Sequence, residues 1–451
     1  MYFCTNFSTM RRAKLAELIT WKGSNSRKPL IVRGARQVGK TWLMKEFGRT
    51  HYAQTIYLNF EQNKRLKSLF TDDFDIARVI VALQAESGIT IRAEETLLIF
   101  DEIQAVPEAI TALKYFREDA PQYQIVAAGS LLGMALHANI SFPVGQVAFM
   151  DLHPLSFVEF LDAIGEGRLI AIRNSRDWKL ITAYKSKLIE RLRQYYFTGG
   201  MPEVVATFMA DHNFTEARKI QKQILTAYEQ DFSKHAPPEI VPRIRMLWNA
   251  VPAQLAKENR KFIYGIIKEG SRAKDYEIAL AWLIDCSQVY KVHRVSKPAL
   301  PLKAYEERSA FKLFLVDVGL LAAMCDISST TLLEGNSIFT EFKGALTEQF
   351  VFQQLNSTGE SVICYWSSER STAEVDFIVQ HNNAIIPIEV KAEENLQAKS
   401  LKVYYDKYRP QAAIRTSMSD YRHHDWLTNI PLYALGIESE ETNIFKKNNA
   451  Y

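Results

Sequence analysis

Gly34-Ala35-Arg36-Gln37-Val38-Gly39-Lys40-Thr41 follows the apolar run Leu30-Ile31-Val32 and leads into Trp42-Leu43-Met44-Lys45-Glu46-Phe47, a segment of helical character. The glycines let the backbone curl so that successive N–H groups and a helix N-terminus face one anion. The stretch therefore reads as a phosphate-binding loop. Lys40 is placed to reach the β- and γ-phosphates of a nucleoside triphosphate, the Thr41 hydroxyl to take a site on Mg2+, and Gly34 to Trp42 to line the nucleotide.

Downstream, Thr55-Ile56-Tyr57-Leu58-Asn59-Phe60 reads as a second strand, residues 66–87 as mostly helical, and Thr96-Leu97-Leu98-Ile99-Phe100-Asp101-Glu102 as a buried strand ending in two acids. Continuous apolar runs mark parallel strands covered on both faces, and ligands in such sheets sit at the strands' carboxyl ends. That brings Asp101 and Glu102 beside the loop, Asp101 as an Mg2+ ligand and Glu102 as the group that polarises the attacking water. Tyr123 to Ser130 gives the next strand, whose terminal Ser130 is expected to sense the γ-phosphate, and Val147 to Leu152 gives a fifth. Met10 to Leu18 is a candidate leading helix. Strands alternating with helices predict an α/β fold, a doubly wound parallel sheet.

A chain of 451 residues exceeds one ordinary core, and its 47% hydrophobic and 24% charged content is that of a globular protein rather than a disordered one. No run approaches membrane-spanning length, and the first seven residues are too short and polar for a signal-peptide core, so a cytoplasmic location without membrane contact is expected. Cys4, Cys286, Cys325 and Cys364 are scattered and are expected as free thiols. The net charge of +4 is regional: between Lys257 and Lys312 twelve Lys and Arg face seven acids, a balance that suits a module meeting nucleic acid.

Gly34 to Thr41, Leu97 to Glu102, Ala128-Gly129-Ser130 and His153-Pro154-Leu155-Ser156-Phe157-Val158-Glu159-Phe160 together resemble the bacterial and archaeal AAA-type ATPases that carry a C-terminal domain of unknown function. Thr198-Gly199-Gly200-Met201-Pro202-Glu203 and Tyr228-Glu229-Gln230-Asp231-Phe232-Ser233-Lys234 extend the resemblance over nearly the whole chain. It implies an ATP- and Mg2+-dependent P-loop core over residues 1–165, a helical lid over 166–236, a winged helix-turn-helix over 237–328 and a further domain over 329–451. Some relatives carry a basic residue within the stretch matching Pro143 to Val147. Here Gln146 stands in that stretch, which leaves an arginine finger unassigned.

For the winged helix, Phe262 to Lys268 is expected as one helix, Lys274 to Asp285 as the second, and Val289 to Val295 with Phe311 to Val316 as the hairpin. Arg272 and Lys274 are then the residues best placed to meet DNA.

The C-terminal part pairs a helix over Glu341 to Val351 with strands over Val362 to Trp366, Glu374 to Val379 and Ile385 to Lys391. Strand alternation puts Glu374 with Asp376 on one face, and Glu389 with Lys391 on one face of the partner strand. Glu348, Asp376, Glu389 and Lys391 resemble the PD-(D/E)xK nucleases, a restriction-endonuclease-like α/β fold. On that resemblance Asp376 and Glu389 hold Mg2+, Glu348 supports them and Lys391 serves the hydrolytic water. The competing expectations are an ATP-dependent regulatory switch whose C-terminal domain binds a partner without cleavage, and a partner-remodelling homo-oligomer.

Overall fold

The computed structural model describes residues 10–62, 64–71, 74–129, 142–256, 261–334, 340–359, 361–369, 372–381, 383–394 and 397–435. Cys4 and Ser130 lie outside them. The chain divides into two compact units, one of Arg11–His153 with Asp285–Gln288, the other of Pro154–Ile284 and Val289–Tyr451 with the first ten residues.

In the first unit five parallel strands, β1 (Leu30–Arg33), β2 (Gln54–Asn59), β3 (Thr96–Asp101), β4 (Gln124–Ala128) and β5 (Ala148–Asp151), lie in the order β2-β3-β4-β1-β5. The interior strands β3 and β4 are buried at every position, whereas the edge strands β2 and β5 are only partly covered. That contrast is why the interior strands are unbroken apolar runs. Helices cover the sheet, among them Lys40–His51, Ile76–Ser87 and Pro107–Asp119. Asp75 caps the second through the Ala77 and Arg78 amides, and a proline opens the third. Phe60, Phe70, Phe100 and Phe116 pack in the core between sheet and helices. The leading helix is Lys14–Lys22, displaced from the span read in the sequence.

The second unit opens with helices, including Phe157–Ala163, Lys185–Thr198, Pro202–Asp211 and Phe214–His235. A mixed sheet follows: β6 (Val289–Val295), β7 (Glu306–Leu315), β8 (Val362–Ser367), β9 (Glu374–His381), β10 (Ala384–Val390), β11 (Ile414–Ser417), β12 (Arg422–His423) and β13 (Thr428–Pro431). Their order is β12-β13-β11-β10-β9-β8-β6-β7.

Two expectations are corrected here. Phe262 to Lys268 is not an α-helix but holds only a 3-10 turn at Tyr264–Ile266, since Gly265 and three isoleucines give it poor helix propensity. The hairpin expected as a wing is the end of the C-terminal sheet: β6 pairs in parallel with β8 through His293 with Cys364 and Arg294 with Tyr365. The 328/329 boundary thus falls inside one sheet system. The lid helices likewise belong to the unit that holds this sheet.

Buried polar groups join these parts. Asp317 accepts hydrogen bonds from the Gly200 amide (2.7 Å), the Leu320 amide (3.0 Å) and Gln353 Nε2 (3.0 Å). Gln349 brackets Leu315, donating to its carbonyl (2.7 Å) and accepting from its amide (2.9 Å). A Cβ on Gly200 would lie 2.0 Å from the Leu155 carbonyl oxygen, so only glycine permits this approach.

Candidate functional site

At the carboxyl end of β1 the chain turns through Gly34, whose φ of 139° suits glycine. A Cβ there would sit 2.1 Å from the Leu152 carbonyl oxygen after β5. Gln37 and Gly39 also have positive φ, and Gly39 caps the helix Lys40–His51. This curled entry into a helix N-terminus is the geometry the sequence predicted for an anion cradle. Arg12, buried and unremarked in the sequence, donates to the carbonyls of Val38 (3.0 Å) and His153 (2.6 Å), bracing the loop against the end of β5.

Lys40 folds back across this loop and donates to the Gly34 and Ala35 carbonyls at 2.9 and 2.8 Å. Its burial pulls the ammonium down to about 8, against the upward pull of Glu102 and Asp101. The Thr41 hydroxyl donates to Asp101 Oδ2 at 2.7 Å, so these two residues meet across the end of β4. Asp101, 3% exposed, also accepts from the Tyr57 hydroxyl (2.9 Å) and from the Glu102 amide (3.1 Å). Hydroxyl and carboxylate oxygens held side by side suit Mg2+, a hard cation that prefers oxygen.

Glu102 has a φ of 50°, a left-handed conformation uncommon for glutamate, and its Oε2 accepts from Gln104 Nε2 at 2.6 Å. The turn after β3 and Gln104 together set its direction. Tyr57, Gln104 and Arg12 were missed in the sequence. Tyr57 alone left a signal, as a polar-tipped residue two before the end of the strand that pairs with β3. Its phenol is pushed up to about 12 by burial and so remains a donor to Asp101.

In the second unit the structure also gathers the C-terminal acids. Val390 N donates to Asp376 Oδ2 (2.8 Å), Lys391 Nζ pairs with Glu389 Oε1 (2.7 Å), and Leu401 N donates to Glu389 Oε2 (3.1 Å). Burial pushes the Glu389 carboxyl up, with Lys391 opposing. Lys312 on β7, fully buried, stands among the others: its Nζ lies 2.6 Å from Glu374, 3.7 Å from Glu348 and 3.8 Å from Asp376. The basic surplus read from the sequence included Lys312, which solvent cannot reach. Among the described residues no three His, Cys, Asp or Glu side chains stand where they could hold one metal ion. Lys312 thus places an ammonium among the Glu348, Glu374 and Asp376 carboxylates, while Glu389 is paired with Lys391.

Of the other basic residues in that surplus, Arg294 is paired with Glu307 and Lys291 is half-buried over the Phe311 ring, while Arg272 and Lys274 are exposed. Lys257 and Arg260 lie outside the described residues. Among those residues Cys325 and Cys364 are free thiols, and no helix is long and apolar enough to cross a membrane.

Comparison with known proteins agrees with the first unit. The AAA domain family matches residues 26–161, and two domains of unknown function, DUF8612 and DUF4143, match residues 189–331 and 343–435. No curated protein matches the chain. Similar solved structures include a Walker-type ATPase of Pyrococcus abyssi, at 14% identity and a TM-score of 0.45 over 70% of this chain and 96% of that one. The Aeropyrum pernix Orc1 protein in complex with DNA is similar at 11% identity and a TM-score of 0.31, over 72% and 95% of the two chains. Residues 26–161, which match the AAA domain, hold the five parallel strands of the first unit.

Proposed function

We propose that this chain binds ATP in the loop from Gly34 to Trp42 and hydrolyses it, and that the nucleotide state controls how the second unit engages a partner. The observation that carries the reading is the convergence of Lys40, Thr41, Asp101 and Glu102 at the carboxyl ends of β1 and β3. In the proposed reaction Lys40 leaves the loop carbonyls for the phosphates, and the loop amides hold the anion. Glu102, aimed by Gln104, orients the attacking water and draws its proton. Thr41 and Asp101 are the residues that would hold Mg2+, which neutralises charge developing on the phosphates. Ser130 is retained in the proposal as the γ-phosphate sensor.

The depressed Lys40 ammonium gives this reading a direct test. Only the charged form pairs with phosphate, and a bound polyanion raises its pKa again. ATP affinity should then be full below about pH 8 and weaken above it, approaching about tenfold per pH unit, with a proton taken up on binding. Titration calorimetry between about pH 7 and pH 9, in buffers of different ionisation enthalpy, measures that proton. Lys40→Arg should bind without proton uptake, because a guanidinium stays charged. A wild type that takes up no proton at the alkaline end would sink the assignment.

For the second unit the proposed partner is nucleic acid, met by the exposed start of the helix Ala273–Asp285. Replacing Arg272 and Lys274 by Ala should weaken duplex-DNA binding and flatten its logarithmic salt dependence by about 2. An unchanged slope in fluorescence anisotropy would remove this helix from the interface. Two readings of the C-terminal cluster remain, Mg2+-dependent cleavage through Asp376, Glu389 and Lys391 with Glu348 in support, and partner binding without cleavage. The position of Lys312 favours the second. A remodelling homo-oligomer predicts a change of size with ATP, which light scattering reads.

A further inference from the structure

Lys312 is the point on which three carboxylates of the second unit converge. It lies within Phe311-Lys312-Leu313-Phe314-Leu315, an otherwise apolar run, with no exposed surface. Register with β6 pairs it with Val292, and its ammonium sits 5.0 Å from the Tyr365 ring centroid. The helix Thr340–Ser357 supplies Glu348, while β9 supplies Glu374 and Asp376. An ammonium this deeply buried persists only if it is paired, and carboxylates so close together need a cation among them.

We propose that Lys312 is the resident cation of this cluster, holding the place a divalent metal would take, so that the domain has no metal-dependent cleavage centre. This rests on the partner-binding reading above. Geometry supports it in two ways. Asp376 spends Oδ2 on the Val390 amide and turns Oδ1 toward Lys312, while both Glu389 oxygens are engaged by Lys391 and the Leu401 amide. A metal entering here would meet the ammonium at close range, and like charges in a buried site exclude one another.

The test uses the nucleotide-free full chain and Mn2+ as probe, followed by electron paramagnetic resonance. Wild type and Asp376→Asn should bind Mn2+ identically. Lys312→Met should gain one Mn2+ per chain, about tenfold or more tighter than any wild-type binding, since removing the ammonium exposes the carboxylates to the ion. Adding Asp376→Asn should abolish that gain, which a merely structural role for Lys312 would not produce. Should Lys312→Met fail to fold, Lys312→Met with Glu374→Gln removes one charge of each sign and keeps Glu348 and Asp376 for the same measurement. The proposal is overturned by Asp376-dependent Mn2+ binding in wild type, by Mg2+-dependent DNA nicking that Asp376→Asn abolishes, or by folded Lys312 variants that gain no site. Cleavage that persists in EDTA would sink the partner-binding reading and leave the place of Lys312 intact. ATP turnover on the same preparations reports separately on the first unit.

Discussion

Lys40→Ala should lose ATP turnover by a factor on the order of 10² to 10³, the scale on which a preorganised electrostatic donor contributes to a charged transition state. The structure makes the substitution informative because Lys40 has a second role, bracing the loop through the Gly34 and Ala35 carbonyls. Two effects oppose each other in the free protein. Losing the ammonium removes two hydrogen bonds, each of which contributes about 1.5–3 kcal/mol from a charged donor, but it also removes the cost of burying a charge that sits depressed to about 8. The melting temperature without nucleotide should therefore change little, whereas the rise in melting temperature on adding ATP should vanish. Glu102→Gln should separate chemistry from binding: the rise survives and turnover falls on a similar scale, because the amide orients water but accepts no proton. A Lys40→Ala protein that still turns over ATP would remove the loop from the mechanism.

How far the sequence could be read depended on whether each signal was local. The loop was legible because its glycines, its helix and the strand before it are contiguous, and strands β3 and β4 were legible because complete burial leaves an unbroken apolar run. Glu102 was identified, but its left-handed backbone and its tie to Gln104 are properties of the folded turn. Arg12 and Lys312 were illegible for one shared reason. A basic residue near a helix or within a strand carries no local mark of whether it faces water or a buried acceptor. The acceptors for Lys312 come from elements beginning 28 or more residues later, at Thr340–Ser357 and Glu374–His381. The wing was misjudged in the same way, since a hairpin's own pattern does not say which further strand it will join. Among the described residues three α-helices separate β8 from β7.

Asp317→Ala should destabilise the second unit by about 3–5 kcal/mol, because it strands several buried neutral donors. The Gly200 amide, the Leu320 amide and Gln353 Nε2 all donate to this carboxylate. Burial pushes the Asp317 carboxyl up while those three donors pull it down. Truncation frees the protein of a buried carboxyl but strands the donors, and each unsatisfied buried donor costs about 1–3 kcal/mol, so the loss should win. Asp317→Asn keeps the shape but presents an NH2 group to at least one of the same donors, and about half the loss is expected. Gly199→Ala attacks the same junction sterically, because its Cβ would lie 2.0 Å from Asp317 Oδ1 at a φ of 67°. Urea unfolding followed by tryptophan emission, with Trp248 and Trp366 both buried in this unit, measures all three. Matching losses for Asp317→Ala and Gly199→Ala would mark the junction as one cooperative contact between the helices that begin the unit and the sheet that ends it. An Asp317→Ala protein as stable as wild type would mean that water replaces the carboxylate and that the helices and the sheet are held by apolar packing alone.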